Sequence, residues 1–209
     1  MTQYGFHFDS SRCTGCRTCQ MACMDYKGST SLDVANRRIY DYEGGDWTVG
    51  EDGTATCSVF SYHVSTSCQH CKGAACIKNC PTKAMHKDPE TGLVSVDATK
   101  CIGCGYCAMA CPYNAPHVDR EVGHSVKCDG CAERVAAGQR PICVEACPLR
   151  ALDFGEFSEL KLKYHNTVRG IAPLPDPSIT NPSLCITTCP DSKVVGDETG
   201  FVSNVEEVK

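Results

Sequence analysis

The sequence predicts an α+β protein: two small cofactor-wrapping domains related by duplication, with an inserted β-hairpin and an extended C-terminal tail. Three observations predict it. Sixteen of the 19 cysteines fall into four runs: Cys13, Cys16, Cys19, Cys23; Cys68, Cys71, Cys76, Cys80; Cys101, Cys104, Cys107, Cys111; and Cys128, Cys131, Cys143, Cys147. Short apolar alternations lead into these runs, as strands that feed loops do. Two long stretches, between Cys23 and Cys68 and after about Ser158, contain no run at all.

At the start, Tyr4, Phe6 and Phe8 alternate, and Asp9 and Ser10 turn the polypeptide into the first run. Runs one and three have the spacing C-x2-C-x2-C-x3-C, which is that of bacterial ferredoxins. Three cysteines that close together wrap a loop around one 4Fe–4S cubane. The fourth lies where a helix is expected to begin and serves a neighbouring cluster. Pro81, Pro112 and Pro148 follow the last cysteine of runs two, three and four. A proline there suits the first turn of a helix, whose N–H has no partner anyway. Run one departs, with Met24 in that place. Runs two and four are stretched by residues 72–75 and 132–142, which loop closure tolerates at little cost.

The first inter-run gap holds RIYDYEGGD at 38–46 and SVFSYHVS at 58–65, with glycines at 44, 45, 50 and 53. These alternate like two strands of an inserted hairpin, either a docking element or a cover over a cluster. Asp88-Pro89-Glu90-Thr91-Gly92 reads as a turn between short strands, the second of which (Leu93, Val94, Val96) feeds run three. Runs two and three thus form one two-cluster unit, 67–114. Runs one and four form the other, from 1–36 and 115–157, with the hairpin at 37–66. Spacing alone leaves open the pairing of one with two and three with four. From 158 to 209, Pro173, Pro175, Pro177 and Pro182 keep the backbone extended, and this tail is expected to dock on a partner subunit or to be partly disordered, docking being preferred.

Sixteen thiolates in four groups point to four 4Fe–4S clusters and to electron transfer. An odd count and triplets too tight to pair argue against a disulfide framework. Zinc, the rival, takes two spaced pairs rather than a triplet plus one. Aromatic residues make up 7% and Trp47 is the single tryptophan, so metal ligation must supply much of the folding free energy. The formal charge of −5 becomes about −13 if four oxidised clusters are counted, which argues against nucleic acid. No apolar run is long enough to span a membrane. Neither a secretory signal nor a twin-arginine signal is expected at the start, Arg37 and Arg38 lying too far inside.

No catalytic constellation is visible. His70, His86 and His124 are expected to be side chains rather than ligands, and Glu133, Glu145 and Asp153 lie singly. The protein alone is therefore not expected to be an enzyme. Arg17, Lys72, Gly105 and Lys127, within or beside ligand loops, are the candidates for tuning cluster potentials. A free polyferredoxin is the rival functional reading, against which the hairpin and the long tail both count.

Several stretches resemble a known family: QYGFHFDSSRCTGCRTC at 3–19, RRIYDYEGGDW at 37–47, AMH at 84–86, CIGCGYCAMACPYNAP at 101–116, GHSVKCDGC at 123–131 and PICVEACPLRALDFG at 141–155. Together they resemble the iron–sulfur (B) subunits of anaerobic dimethyl sulfoxide reductases, from the start to about Pro177. The cysteine runs alone are shared with subunits serving other molybdopterin enzymes, for tetrathionate, thiosulfate, polysulfide, arsenate or formate. The resemblance implies a nested ligation. One cluster takes Cys13, Cys16, Cys19 and Cys147, and a second takes Cys23, Cys128, Cys131 and Cys143. A third takes Cys68, Cys71, Cys76 and Cys111, and a fourth takes Cys80, Cys101, Cys104 and Cys107. It further implies a molybdopterin catalytic subunit, a membrane anchor that oxidises quinol, and a position peripheral to the cytoplasmic membrane with any export signal on the catalytic partner. Cys57, Cys185 and Cys189 have no counterpart among the ligands and are expected to be unligated. A disulfide between Cys185 and Cys189 is the alternative.

Overall fold

A computed structural model of the protein describes residues 2–208; Met1 and Lys209, at the ends of the first and last expected segments, lie outside the described residues. The first half runs β1 (Tyr4–Asp9), α1 (Thr18–Lys27), β2 (Arg37–Gly44), β3 (Trp47–Val49), β4 (Ala55–Cys57), β5 (Phe60–Ser67) and α2 (Ala75–Lys78). Then follow β6 (Met85–Lys87), β7 (Val94–Val96), α3 (Tyr106–Ala110), β8 (His117–Asp119), β9 (His124–Val126), α4 (Ala132–Ala136) and α5 (Ile142–Ala146). The last elements are β10 (Leu152–Glu156), α6 (Phe157–Lys163), β11 (Leu184–Thr187), β12 (Gly200–Val202) and α7 (Val205–Val208).

The apolar alternation of β1 becomes a strand buried on both faces. Phe6, His7 and Phe8 are all nearly inaccessible. β1 is the centre of a three-stranded sheet, antiparallel to β10 and parallel to β11; Phe6 and Phe8 pack in the main core, while His7 on the other face stacks on Tyr164, just past α6. Phe154 of β10 packs on Phe6 with ring centroids 4.8 Å apart. The second sheet is β12–β2–β5, and the β2–β5 pair is in register from Arg37↔Ser67 to Gly44↔Phe60. That is the inserted hairpin, and it has two parts. Its base buries Ile39, Tyr42, Tyr62 and Val64 in the core, whereas its β3–β4 tip is exposed along its whole length.

The C-terminal stretch is ordered against the body of the fold rather than standing free of it. It has little regular structure, as its prolines dictate, but it packs on the rest of the same polypeptide. β11 covers one edge of β1, β12 covers an edge of β2, and Ile171, Leu174, Leu184 and Ile186 are buried. Covering two strand edges removes unpaired backbone groups from solvent, and the strand that covers β1, Leu184–Thr187, is only four residues long.

The prolines after the cysteine runs also act differently from expectation. They stop helices rather than start them. α3 and α5 end before Cys111 and Cys147, which are extended (φ −86°, ψ 114° and φ −67°, ψ 110°), and Pro112 and Pro148 follow. A residue before proline is pushed out of the helical region, and proline is common just past a helix end. Where Met24 replaces proline, α1 runs on through Cys23 for ten residues, against five for α3 and α5.

Candidate metal centres

The four runs are brought together as nested groups rather than run by run. One small cavity is lined by Cys13, Cys16, Cys19 and Cys147. A second is lined by Cys68, Cys71, Cys76 and Cys111. A third is lined by Cys80, Cys101, Cys104 and Cys107. The remaining four group electrostatically: burial pushes the Cys23 thiol well up, and Cys128, Cys143 and Cys131 add to the rise. Helix geometry makes this nesting possible. Cys19 and Cys23 lie one turn apart on α1, and α1 packs against α5, which carries Cys143.

The residue before the second cysteine must turn the loop back. In runs one, three and four it is Gly15, Gly103 or Gly130, with φ of 65°, 66° and 73°. An added Cβ at Gly15 would lie 2.6 Å from the His63 ring. In run two that position is His70, held at φ 43°. A non-glycine residue there carries backbone strain that its surroundings must offset. His70 is fully buried and accepts the Val94 N–H on Nδ1 at 2.9 Å, which leaves its proton on Nε2, 3.9 Å from the Cys128 sulfur. Burial, then Lys127, Lys87 and Arg37, push its pKa well down, so the ring is neutral.

As free thiols these groups are uncomfortable. Burial above all, with neighbouring cysteines adding to it, pushes Cys13 and Cys71 to about 11 and Cys76 to about 12. Four soft sulfur donors lining a small, mainly apolar pocket call for a thiophilic cation to bring them to the thiolate form. Among the described residues no three His, Cys, Asp or Glu side chains converge as the ligands of a single ion do. The quartets instead surround volumes, which fits a multi-iron cluster. Backbone N–H groups point at several sulfurs: Ser125 at Cys101 (3.3 Å), Met85 at Cys80 (3.4 Å), Gly130 at Cys128 (3.4 Å) and Ala151 at Cys147 (3.3 Å). Such donors stabilise thiolates and raise the potential of a cluster bound to them.

Exposure grades across the groups. Cys23, Cys128, Cys131 and Cys143 are all buried, whereas Cys16 and Cys104 are exposed. No disulfide joins any of the 19 cysteines, Cys185 and Cys189 included. Cys185 is buried in β11, Cys189 sits beside Ser10 and Ser192, and Cys57 is exposed on the hairpin tip. None of the three lines the cavities described above.

The candidate tuning residues separate clearly. Arg17 is committed to ion pairs with Asp41 (2.5 Å) and Glu207 (2.8 Å), and Lys72 is exposed. Gly105 opens α3 at φ 79°. Lys127 is buried, with its ammonium on the carbonyls of Val94 and Cys128. His86 is exposed, and His124 is half-buried and bonds the Ser125 carbonyl. Glu133 is exposed, Glu145 pairs with Arg134, and Asp153 holds Arg140 (2.9 Å) and Lys163 (2.7 Å). Sequence reasoning missed Arg37, Ser65 and Ser125, all buried close to cysteines. No local pattern marks Arg37, because β2 reads RRIYDYEG and carries Arg38, Asp41 and Glu43 as well.

Residues 59–157 match the family model described as a 4Fe-4S dicluster domain. The sequence is 53% identical to the B subunit of the anaerobic dimethyl sulfoxide reductase of Haemophilus influenzae over 208 residues, all of both proteins. It is 54% identical to the corresponding B subunit of Escherichia coli over 207 residues, 99% of each. Similarity extends, at 37% over 166 residues (77% of this protein and 80% of the relative), to the thiosulfate reductase electron transfer subunit PhsB of Salmonella typhi.

Proposed function

This protein belongs to the family of anaerobic dimethyl sulfoxide reductase B subunits, iron–sulfur electron-transfer subunits, and we propose that it relays electrons through four 4Fe–4S clusters from a quinol-oxidising membrane anchor to a molybdopterin subunit that reduces dimethyl sulfoxide or a related S- or N-oxide. The observation that carries this reading is full-length identity of 53–54% together with four nested cysteine quartets. Their ligand sets are Cys13/Cys16/Cys19/Cys147, Cys23/Cys128/Cys131/Cys143, Cys68/Cys71/Cys76/Cys111 and Cys80/Cys101/Cys104/Cys107. A bound cluster supplies one-electron storage at a potential the protein sets.

The protein's own residues do the rest. They hold the quartets in a row: α1 links the first to the second, Cys128 and Cys68 lie within electrostatic reach and link the second to the third, and the run from Cys76 to Cys80 links the third to the fourth. They leave no exposed ligand in the two middle quartets and one at each end, Cys16 and Cys104, where partners can approach. Ile102, Tyr106 and Met109 are exposed around Cys104, an apolar rim suited to a protein partner. Among the described residues no helix is long and apolar enough to cross a membrane, and attachment through the anchor subunit gives a peripheral position.

The test is isolation of the native complex, anaerobically, by a tag on this subunit. Dimethyl sulfoxide should rapidly reoxidise a reduced viologen in its presence. No reaction, with a molybdenum-containing partner present, would move the terminal acceptor to thiosulfate, polysulfide or tetrathionate. Isolation without any partner would favour a free polyferredoxin.

A further inference from the structure

Arg37 is a charge buried in the core of the fold, with 2% of its surface exposed and its whole guanidinium out of water. Burying a cation costs several kcal/mol unless an anion faces it. Yet among the described residues no carboxylate lies within ion-pair distance of Arg37. Its Nη1 donates to Ser65 Oγ at 2.9 Å and its Nη2 to Ser67 Oγ at 3.0 Å, while Nε has no partner. One face lies over the Phe6 ring, 5.0 Å from the centroid. This is a cation built into an apolar core without a counter-ion from any acidic side chain.

What surrounds it is cysteine. Ser65, which accepts from Arg37, lies 3.5 Å from the Cys19 sulfur. Because the guanidinium occupies a lone pair of that hydroxyl, the Ser65 proton is free to be donated to Cys19. Burial alone would push the guanidinium pKa down, but Cys143, Cys19, Cys128 and Cys23 more than reverse it. Three of those four belong to one quartet and one to its neighbour. Arg37 therefore stands between the two groups joined by α1.

We propose that Arg37 is the shared counter-cation of the Cys13/Cys16/Cys19/Cys147 and Cys23/Cys128/Cys131/Cys143 sites, positioned to hold the reduction potentials of both upward, with Ser65 as its relay to Cys19. This rests on the ligand sets proposed above. A fixed positive charge in a dry site stabilises the reduced, more negative form of any cluster beside it.

Arg37→Gln, Arg37→Lys and Ser65→Ala are compared with wild type in the intact complex. The readouts are iron and sulfide content and EPR-monitored redox titration. With full iron content, Arg37→Gln should lower two of the four midpoints. The shift expected is at least tenfold in the one-electron equilibrium, about 59 mV. Arg37→Lys should stay near wild type, and Ser65→Ala should lower one midpoint by less. Unchanged midpoints in a fully loaded Arg37→Gln overturn the proposal, as do equal shifts in Arg37→Gln and Arg37→Lys, which would assign the effect to shape. If Arg37→Gln does not load, Ser65→Ala decides: one lowered midpoint supports the proposal and four unchanged midpoints overturn it. Failure of the ligand reading looks different, because wild type itself would then hold fewer than four clusters.

Discussion

The Cys23/Cys128/Cys131/Cys143 group and the Cys80/Cys101/Cys104/Cys107 group both contain a C-x-G-C loop, CDGC in one and CIGC in the other, yet they differ sharply in exposure. In the first group all four sulfurs are buried, two are carried on the packed helices α1 and α5, and Arg37 lies within electrostatic reach of three of them. In the second, Cys104 is exposed between Ile102 (66% exposed) and Tyr106 (52%). The spacing specifies a sulfur cage; what flanks the spacing specifies whether that cage is buried or reaches the surface. The first group is also part of the main hydrophobic core, which Cys128 and Cys143 share with Phe6, Ile39 and Val144. Ligation and folding are therefore expected to be coupled more tightly there than at the exposed end.

The sharpest way to break this comparison is to remove one ligand from each group. Cys104→Ser is expected to lose about one cluster, leaving about 12 of about 16 irons per subunit, with the fold intact and quinol-dependent turnover stopped. Cys143→Ser is expected to lose more than one cluster and to recover little folded complex, because metal binding there is folding free energy. Equal iron contents and equal yields in the two variants would refute the distinction. Unaltered turnover in a Cys104→Ser complex that lacks that cluster would refute a single relay path.

The interior side of the comparison extends into the C-terminal stretch. Ile186, on β11, is fully buried beside β1. Ile186→Ala is expected to destabilise the protein by about 2–5 kcal/mol, as large-to-small core changes do. Val194→Ala, at a residue 76% exposed, should change stability by less than about 0.5 kcal/mol. Denaturant unfolding under anaerobic conditions measures both, and a stretch supported only by a partner would show no difference between them.

Much of this architecture was legible in the sequence. The cysteine spacing carried the sulfur chemistry, and the alternations at 38–46 and 58–65 marked the strands that became β2 and β5. What was not legible depended on neighbours distant in sequence. The second face of β1 is covered by Tyr164, which stacks on His7 from just past α6, and its edges are covered by β10 and β11, from residues 152–156 and 184–187. The packing of the C-terminal stretch turns on a four-residue strand, too short for a periodic signal. The role of Arg37 arises from cysteines on α1, α5 and the run-four loop, which no local pattern reveals.

The prolines were visible in the sequence but their effect on the helices was not, and Met24 supplies a test of what they do. It stands where the other three runs have proline, and there the helix carrying the ligands continues. Met24→Pro should stop α1 at Cys23, costing about 3 kcal/mol or more, and should disturb the buried group first because Cys23 belongs to it. Far-ultraviolet circular dichroism and iron content read the two effects. A stable, fully loaded Met24→Pro variant would show that helix continuation is incidental to the nesting.

The smallest expected effect concerns His7, on the buried strand β1. Its ring stacks on Tyr164 with centroids 3.4 Å apart, and its Nε2 lies 2.9 Å from Thr187 Oγ1. Burial pushes its pKa down to about 4; Asp9 and Asp153 oppose the fall, and Lys163 and Arg12 add to it. Between about pH 6.5 and 4 the unfolded polypeptide takes up a proton on this histidine that the folded protein refuses, so stability falls as the pH falls through that window. From about pH 7.5 to 5.5 the loss is about 1–2 kcal/mol. His7→Phe keeps the stack on Tyr164 and removes the titration, so its stability should fall less over the same range. Parallel pH profiles for His7→Phe and wild type, measured by anaerobic denaturant unfolding, would show that His7 titrates alike in both states and that burial of β1 carries no pH cost.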